Sequence, residues 1–500
     1  MRAMNGVTAV LDKTQAIRTA TWLRSDALCL AMLALFTLAI RAIWLGDPVA
    51  DFDEQLYSFI GWRMQYGELP FVDWWDRKPF GLFAIFGLTH LLFGPSALSY
   101  QLVASGFAIT AAWITFRLSR RLVDRVTASF AGAICVILLS AYGSYSGQSE
   151  VFLAPIMLGM AALLVDADHP RFTRRAATAV LLGGLALQVK YTVVPQCLFF
   201  GGWALWVEYR RGRDWRGLAA IAALFAVLGI LPTMAVGAFY AAIGEFDAFW
   251  FANFTSFFDR APAPQGRWGD NHALGVAPLL VLCAGGVYAA LRMRRPQPIG
   301  TWGFFTGWAV ATLATVFLPG TVYLYYYAAL AAPAALVALP LLNRHGPLRI
   351  WPAIVLTAGL LALISLPDRR VRSLEERAAS EALAAAIAPH VGAEADCLWI
   401  WDGPTVLYHQ TNSCVPTRFV YPDHLNNALE TNALEVDQVE EIGRILSQKP
   451  GAIVTADTGM TIRNKQAGAL VENTLAKDYR QRLTVDMHGR KVTAWVRRVP

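Results

Sequence analysis

Apolar runs long enough to cross a bilayer recur along this chain near 26–46, 98–116, 126–143, 150–165, 176–190, 191–208, 217–243, 272–291, 300–318, 321–341 and 348–366. No other feature constrains the fold as much. A hydrocarbon core of about 30 Å takes about 17–25 residues of helix. Inside it every backbone polar group has to be satisfied within the segment. Several runs lie at the short end of that range, and together they predict a mostly α, polytopic membrane bundle of about eleven spans. Composition agrees: 56% of residues are hydrophobic and 16% charged, too little polar surface to cover a soluble core of this length. The 17 Trp and 16 Tyr suit a chain with two membrane interfaces to anchor. A formal charge of +7 raises nucleic-acid binding, but the bases sit in short clusters between apolar runs, which is a topology signal.

One further apolar run, 80–93, decides the orientation. At about 14 residues it is too short for an upright span. If it lies in the interface or dips in, the clusters Arg117–Arg125, Arg171/Arg174/Arg175, Arg210/Arg211/Arg213/Arg216, Arg292/Arg294/Arg295 and Arg344/Arg349 all fall on the cytoplasmic side, as the positive-inside rule prefers. This reading puts the N-terminus in the cytoplasm and everything from about 367 outside. Arg2, Lys13, Arg18 and Arg24 precede the first span with no small-residue cleavage site after it, so the span reads as an uncleaved anchor. A bacterial inner membrane with a periplasmic tail is the expected setting.

The tail, 367–500, has a different texture from the membrane part, 1–366. An Ala- and Glu-rich helix around 372–388 leads to a strand, Cys397-Leu-Trp-Ile-Trp401. A helix over 436–448, a β-branched run at 452–455 and a helix near 463–480 follow. The chain closes on a hairpin turning at His488-Gly489. Alternating helix and strand predicts a small α/β domain of about 130 residues. Cys397 and Cys414 share what should be an oxidising space, where a disulfide or two separate thiols are both open. The other four cysteines lie in membrane runs and read as small apolar residues.

The first extracytoplasmic loop, 47–79, departs from this background. Asp47, Asp51, Asp53, Glu54, Glu68, Asp73 and Asp76 stand there against Arg63, Arg77 and Lys78. Residues 53–64 are apolar at helical spacing and predict an amphipathic helix lying on the membrane, with Asp53 and Tyr57 one turn apart on one face. Gly67 and Pro70 end it. Solvated charges with Trp74 and Trp75 as interface anchors would explain a scattered acidic loop. Here paired acids and paired bases both sit at hydrophobic boundaries. The same topology brings Glu150, in Gly147-Gln-Ser-Glu150, and Lys190 to the same membrane face. The loop 244–271, with Asn253, Asp259, Arg260 and Arg267, lies there too. Ionisable groups at membrane depth are costly and usually line a site or pathway, although Lys190 alone could snorkel.

Asp53-Glu54 soon after the first span, Gly67-x-x-Pro70-x-x-Asp73, and Lys78-Pro79 before a run ending Phe93-Gly94 resemble the GT-C glycosyltransferases. The likeness is to the protein O-mannosyltransferases and the bacterial aminoarabinose transferases. Gln148-Ser-Glu150, Gly183-Gly-Leu-Ala-Leu-Gln-Val-Lys190 and Tyr325-Tyr326-Tyr327 followed by Pro333 extend the resemblance over most of the membrane part. The resemblance implies sugar transfer, with inversion, from a polyprenyl-phosphate donor to a glycolipid, glycan or protein hydroxyl outside the cytoplasm. An acceptor hydroxyl needs a carboxylate to take its proton. Asp53 is the expected base, with Glu54 orienting it or touching the sugar. A departing phosphate needs cations, and Lys78, Arg77 and Lys190 are the candidates. Tyr57, Asp73, Asp76, Gln148, Glu150, Tyr325 and Tyr326 are expected around the substrates.

Two departures stand out. The aminoarabinose transferases carry an acidic residue before their Lys-Pro that is associated, with a histidine, with a metal. Arg77 stands at that position, which leaves a divalent metal open and donor and acceptor unassigned. Tyr325 stands where many relatives have a histidine. Two other classes stay open: a transporter or flippase for a lipid-linked substrate, which would more often show inverted repeats and broken helices, and a non-catalytic envelope assembly protein, for which the loop acids would be dispensable.

Overall fold

The computed structural model describes residues 26–261, 270–319 and 322–498; Arg2, Lys13, Arg18, Arg24 and Arg267 lie outside them. Its first part is a bundle of apolar helices: α1 (Asp26–Arg41), α2 (Phe52–Arg63), α3 (Phe80–Phe93), α4 (Ala97–Ser119), α5 (Arg125–Ala141), α6 (Ser149–Leu164), α7 (Phe172–Leu187), α8 (Val194–Arg210), α9 (Trp215–Ala242), α10 (Asp270–Arg292), α11 (Ile299–Phe317), α12 (Ala331–Val337) and α13 (Trp351–Ile364). Among the described residues, six helical segments are long and apolar enough to cross a membrane: Asp26–Trp44, Ala97–Ser119, Trp215–Ala242, Gly275–Arg292, Ile299–Phe317 and Trp351–His390. The shorter apolar helices α5 and α6 are largely buried between them, while α3 leaves Leu88, Leu91, Leu92 and Phe93 exposed.

The run 321–341 is not one continuous helix. Leu324–Leu330 is a 3₁₀ segment that passes into α12 and then into a short turn of helix, Leu339–Leu342. The three consecutive tyrosines lie on that tighter winding, which eclipses side chains three apart. Residues 251–255 likewise form a π-helical turn. Broken helices, which the sequence reading associates more often with a transporter, are therefore present here.

The tail begins with α14 (Leu366–Ile387), set off from α13 by Ser365 in the left-handed conformation at φ 49°. It continues through β1 (Leu398–Ile400), α15 (Gln438–Ser447), β2 (Ala452–Ala456), α16 (Lys465–Asp478), β3 (Tyr479–Met487) and β4 (Arg490–Arg497). The four strands form one sheet in the order β1-β2-β4-β3, with β1 and β2 parallel and the other pairs antiparallel. The hairpin turns at His488 and Gly489, both at positive φ. Cys397 and Cys414 are joined as a disulfide at the start of β1.

Where the tail meets the bundle, the sequence reading needs correction. The helix α2 does not lie on an interface with a wet polar face. Glu54, Gln55, Leu56, Tyr57, Phe59, Ile60 and Gly61 are all buried, because α3 covers one side and the tail the other. A Cβ at Gly61 would come within 2.7 Å of the Gly87 amide nitrogen, so this glycine is what lets α2 and α3 cross so closely. On the tail side, the Val406 amide donates to Gln55 Oε1 at 3.2 Å. Phe59 packs on Tyr408 with centroids 5.9 Å apart. Trp75 is no interface anchor either. It is buried in the tail's own core with Trp399, Trp401 and Phe419, and its backbone amide donates to the Arg418 carbonyl at 3.1 Å.

Candidate active site

The acidic cluster is built by the start of α2 and the turn before α6. Asp51 caps α2, accepting from the Asp53 and Glu54 amides at 3.0 and 3.2 Å, which satisfies two of the orphan donors of a helix N-terminus. That cap sends Asp53 and Glu54 in different directions. Glu54 points inward and is fully buried. It accepts from Tyr100 Oη and Gln101 Nε2, both at 3.2 Å, and from the Gly147 amide. The turn that supplies Gly147 is itself held by Arg41, whose guanidinium donates to the Ser144 and Ser146 carbonyls at 2.9 and 2.7 Å.

Asp53 points the other way, half-buried, with both carboxylate oxygens engaged. Tyr421 Oη donates to Oδ1 at 3.1 Å, and Gln148 Nε2 donates to Oδ2 at 3.1 Å. One donor comes from the tail and the other from the cap of α6. Tyr57, one turn along α2, is completely buried with its hydroxyl unpaired, and its ring lies 5.3 Å from Lys78 Nζ. A buried polar group without a partner is costly, and this one sits among the charges of Asp53, Asp76, Asp51 and Glu150.

Lys78 is the cation left available. Among the described residues it forms an ion pair with no carboxylate. Burial by itself would lower its pKa, but the nearby charges of Asp53 and Asp76 prevail and hold the ammonium above its ordinary value. Asp76 turns back to accept from the Lys78 amide at 2.7 Å, and its other oxygen lies 3.5 Å from His424 Nε2. Burial works against its ionisation, yet Lys78 holds Asp76 below the usual carboxylate range.

A second cation, Lys190, follows α7 in extended backbone at φ −162°. It pairs with the buried Glu150 and lies 4.3 Å from the Tyr326 ring centroid and 5.0 Å from that of Tyr325. The Leu82 amide donates to the Gln188 carbonyl at 3.0 Å. A Cβ on Gly81 would come within 2.7 Å of Gln188 Cβ. That close approach sets the start of α3, and so Lys78, against the segment that carries Lys190. A narrow, largely apolar cleft opens beside this pair, lined by Glu150, Leu153, Lys190, Gln196, Trp308 and Tyr326.

Two expected site residues lie elsewhere. Asp73 is on an exposed turn, where Oδ2 accepts from the Leu69 amide at 2.7 Å; its carboxylate closes the turn after Pro70 instead of facing the cluster. Arg77 is committed to the tail, forking onto Glu430, which Arg260 also pairs. Two arginines on one carboxylate leave Arg77 a structural clamp, and local spacing gave no sign of a partner 353 residues away. Among the described residues, no group of three His, Cys, Asp or Glu side chains could hold a metal ion. With Arg77 turned to Glu430, the donor set does not fit a divalent metal.

The residues absent from the sequence reading are Tyr421, Tyr100, Gln101 and Arg41. Arg41 carried a signal, an ionisable group at the end of an apolar run. Tyr421, in Phe419-Val-Tyr-Pro422, carried none.

Burial pushes the Glu54 carboxyl up to about 7, against the hydrogen bonds that favour its charge. A pKa raised by folding gives stability that is complete below the unfolded value and is lost as pH climbs through the folded one. The thermal stability of the purified protein should therefore fall between pH 5 and pH 8. The Glu54→Gln variant should lose distinctly less over the same interval. Parallel slopes for the two proteins would mean that Glu54 does not titrate there.

Two solved structures of ArnT from Cupriavidus metallidurans share the fold. The form bound to undecaprenyl phosphate superposes with a TM-score of 0.58 at 15% identity, and the apo form with 0.56 at 14%. Each comparison covers 93% of this chain and 98% of the other. The apo oligosaccharyltransferase of Archaeoglobus fulgidus matches with a TM-score of 0.50 at 11% identity, over 87% of this chain and 70% of that one. No protein-family model matches the sequence. No curated protein matches it either.

Proposed function

We propose that this chain is a membrane glycosyltransferase. It moves a sugar from a polyprenyl-phosphate donor to a hydroxyl acceptor on the extracytoplasmic side, with inversion at the anomeric carbon. The observation that carries the reading is Asp53, held by two neutral donors, near Lys78, a half-buried cation that forms an ion pair with no carboxylate among the described residues. The fold shared with ArnT, one form of which holds undecaprenyl phosphate, supports the same class of donor.

In the proposed step the acceptor oxygen bonds to the anomeric carbon as the bond from that carbon to the phosphate oxygen breaks. The electron pair leaves on the polyprenyl phosphate, and Asp53 takes the acceptor's proton. General-base assistance of this kind typically contributes about 10²–10⁴. Lys78 meets the charge that develops on the departing phosphate, in surroundings where such stabilisation exceeds its value in water. Lys190, already neutralised by Glu150 and packed on the Tyr325 and Tyr326 rings, is a second contact for the lipid phosphate. The tyrosine hydroxyl of residue 57, otherwise orphaned, gains a partner in a sugar or phosphate oxygen.

The test is a transfer assay on the purified full-length chain in lipid nanodiscs, with radiolabelled polyprenyl-phosphate sugars and a total envelope-lipid and glycan extract as acceptor. Label is expected to move into an acceptor, with release of polyprenyl phosphate in equal amount. Movement of intact donor between leaflets without a new glycoside would instead make the chain a flippase.

A further inference from the structure

We infer that the tail completes the active site, with Tyr421 a positioning residue that holds the Asp53 carboxylate in line for proton transfer. The inference rests on the transferase reading above and adds to it a residue from outside the membrane part.

Tyr421 lies just before the short helix Pro422–Asn426. Its hydroxyl donates to Asp53 Oδ1 at 3.1 Å while Gln148 holds Oδ2 at the same distance. Burial first, and the charge of Asp53 next, push the phenol well above its ordinary pKa, so it stays a donor. Two fixed donors on two oxygens leave the carboxylate no free rotation, and the oxygen lone pairs not facing Tyr421 and Gln148 point to where an acceptor hydroxyl would sit. A catalytic group misplaced by about 1 Å can cost about 10²-fold.

The placement of Tyr421 is secured by the segment around it. His424, three residues on, approaches Asp76 at 3.5 Å, and Glu430 receives both Arg77 and Arg260. Trp75 fills the tail core against Phe419 and His424, with centroids 5.8 and 4.6 Å away. Residues 419–430 therefore grip the loop at Trp75, Asp76 and Arg77, immediately before Lys78. The same stretch that steadies the cation reaches over to the base. An accessory module joined only by a linker would have no reason to place a side chain on the catalytic carboxylate.

Tyr421→Phe removes the donated bond and keeps the ring. Loosening the placement of the carboxylate is expected to lower kcat about tenfold or more. The KM for the polyprenyl-phosphate sugar should stay within about twofold, because Tyr421 touches no donor group. In an Asp53→Asn background the same change should add nothing, since the bond it removes no longer has a charged acceptor. Thermal unfolding of each variant, measured on the same nanodisc samples, reads whether the tail remains docked, and equal midpoints are expected. The inference is overturned if kcat of Tyr421→Phe matches wild type, if the loss recurs undiminished beside Asp53→Asn, or if it accompanies an undocked tail. Wild-type protein that forms no glycoside at all would instead remove the transferase reading itself, a result seen before any variant is compared.

Discussion

Replacing Asp53 with asparagine is expected to lower kcat for sugar transfer by about 10²–10⁴, with the protein present in normal amounts and its donor KM little changed. Asparagine has nearly the same shape and can still meet Tyr421 and Gln148, which now hold the two carboxylate oxygens at 3.1 Å each. The acceptor's proton then has nowhere to go as the new bond forms. The neighbouring carboxylates do not substitute for it. Asp51 is engaged in capping α2, and burial together with the charges of Asp53 and Glu54 raises its pKa well above the ordinary value. Glu54 is taken up by Tyr100, Gln101 and Gly147. Initial rates with labelled donor at saturating acceptor decide the matter. Transfer by Asp53→Asn at the wild-type rate would exclude Asp53 as the base.

The second large effect is expected at Lys78. Lys78→Met keeps the apolar stem against the Tyr57 ring and deletes the charge. Loss of a charge-stabilising group from a buried site typically costs about 10²–10³ in kcat, and the donor KM should rise as well, because the ammonium meets the phosphate in the ground state too. The expected contrast is with Arg77, whose charge is absorbed by Glu430. A donor titration of Lys78→Met showing unchanged kcat and KM would remove Lys78 from phosphate handling and leave Lys190 as the remaining cation of the cluster.

Much of this architecture is legible along the chain because it follows from local periodicity. Apolar runs other than 321–341 become helices with ends moved by a few residues. The tail's alternation of helix and strand appears as drawn, including the hairpin at His488-Gly489. The pairing of Asp53 with Glu54 stands out for the same reason, as two acids at a helix start after an apolar run. What escapes is what depends on partners far away in sequence. Nothing near Arg77 announces Glu430, and nothing near Asp53 announces Tyr421. The helix α2 illustrates the limit. Its spacing predicts one wet face, yet Gln55 and Glu54 are buried because the tail and the turn at 144–147 bring them hydrogen-bond partners. A buried polar residue with distant partners looks, in sequence, like an exposed one.

The lodging of Trp75 in the tail's core also orders events during synthesis. The loop is made early, but its aromatic side chain and the carboxylate that Arg77 needs belong to a segment some 340–350 residues further on. Closing so long a span is slow relative to local helix formation. The newly inserted loop must therefore wait, with a tryptophan and an arginine unsatisfied, until the last quarter of the chain has emerged and folded. A polypeptide cut short before this segment holds every apolar helix of the bundle and still lacks the partners of Trp75 and Arg77.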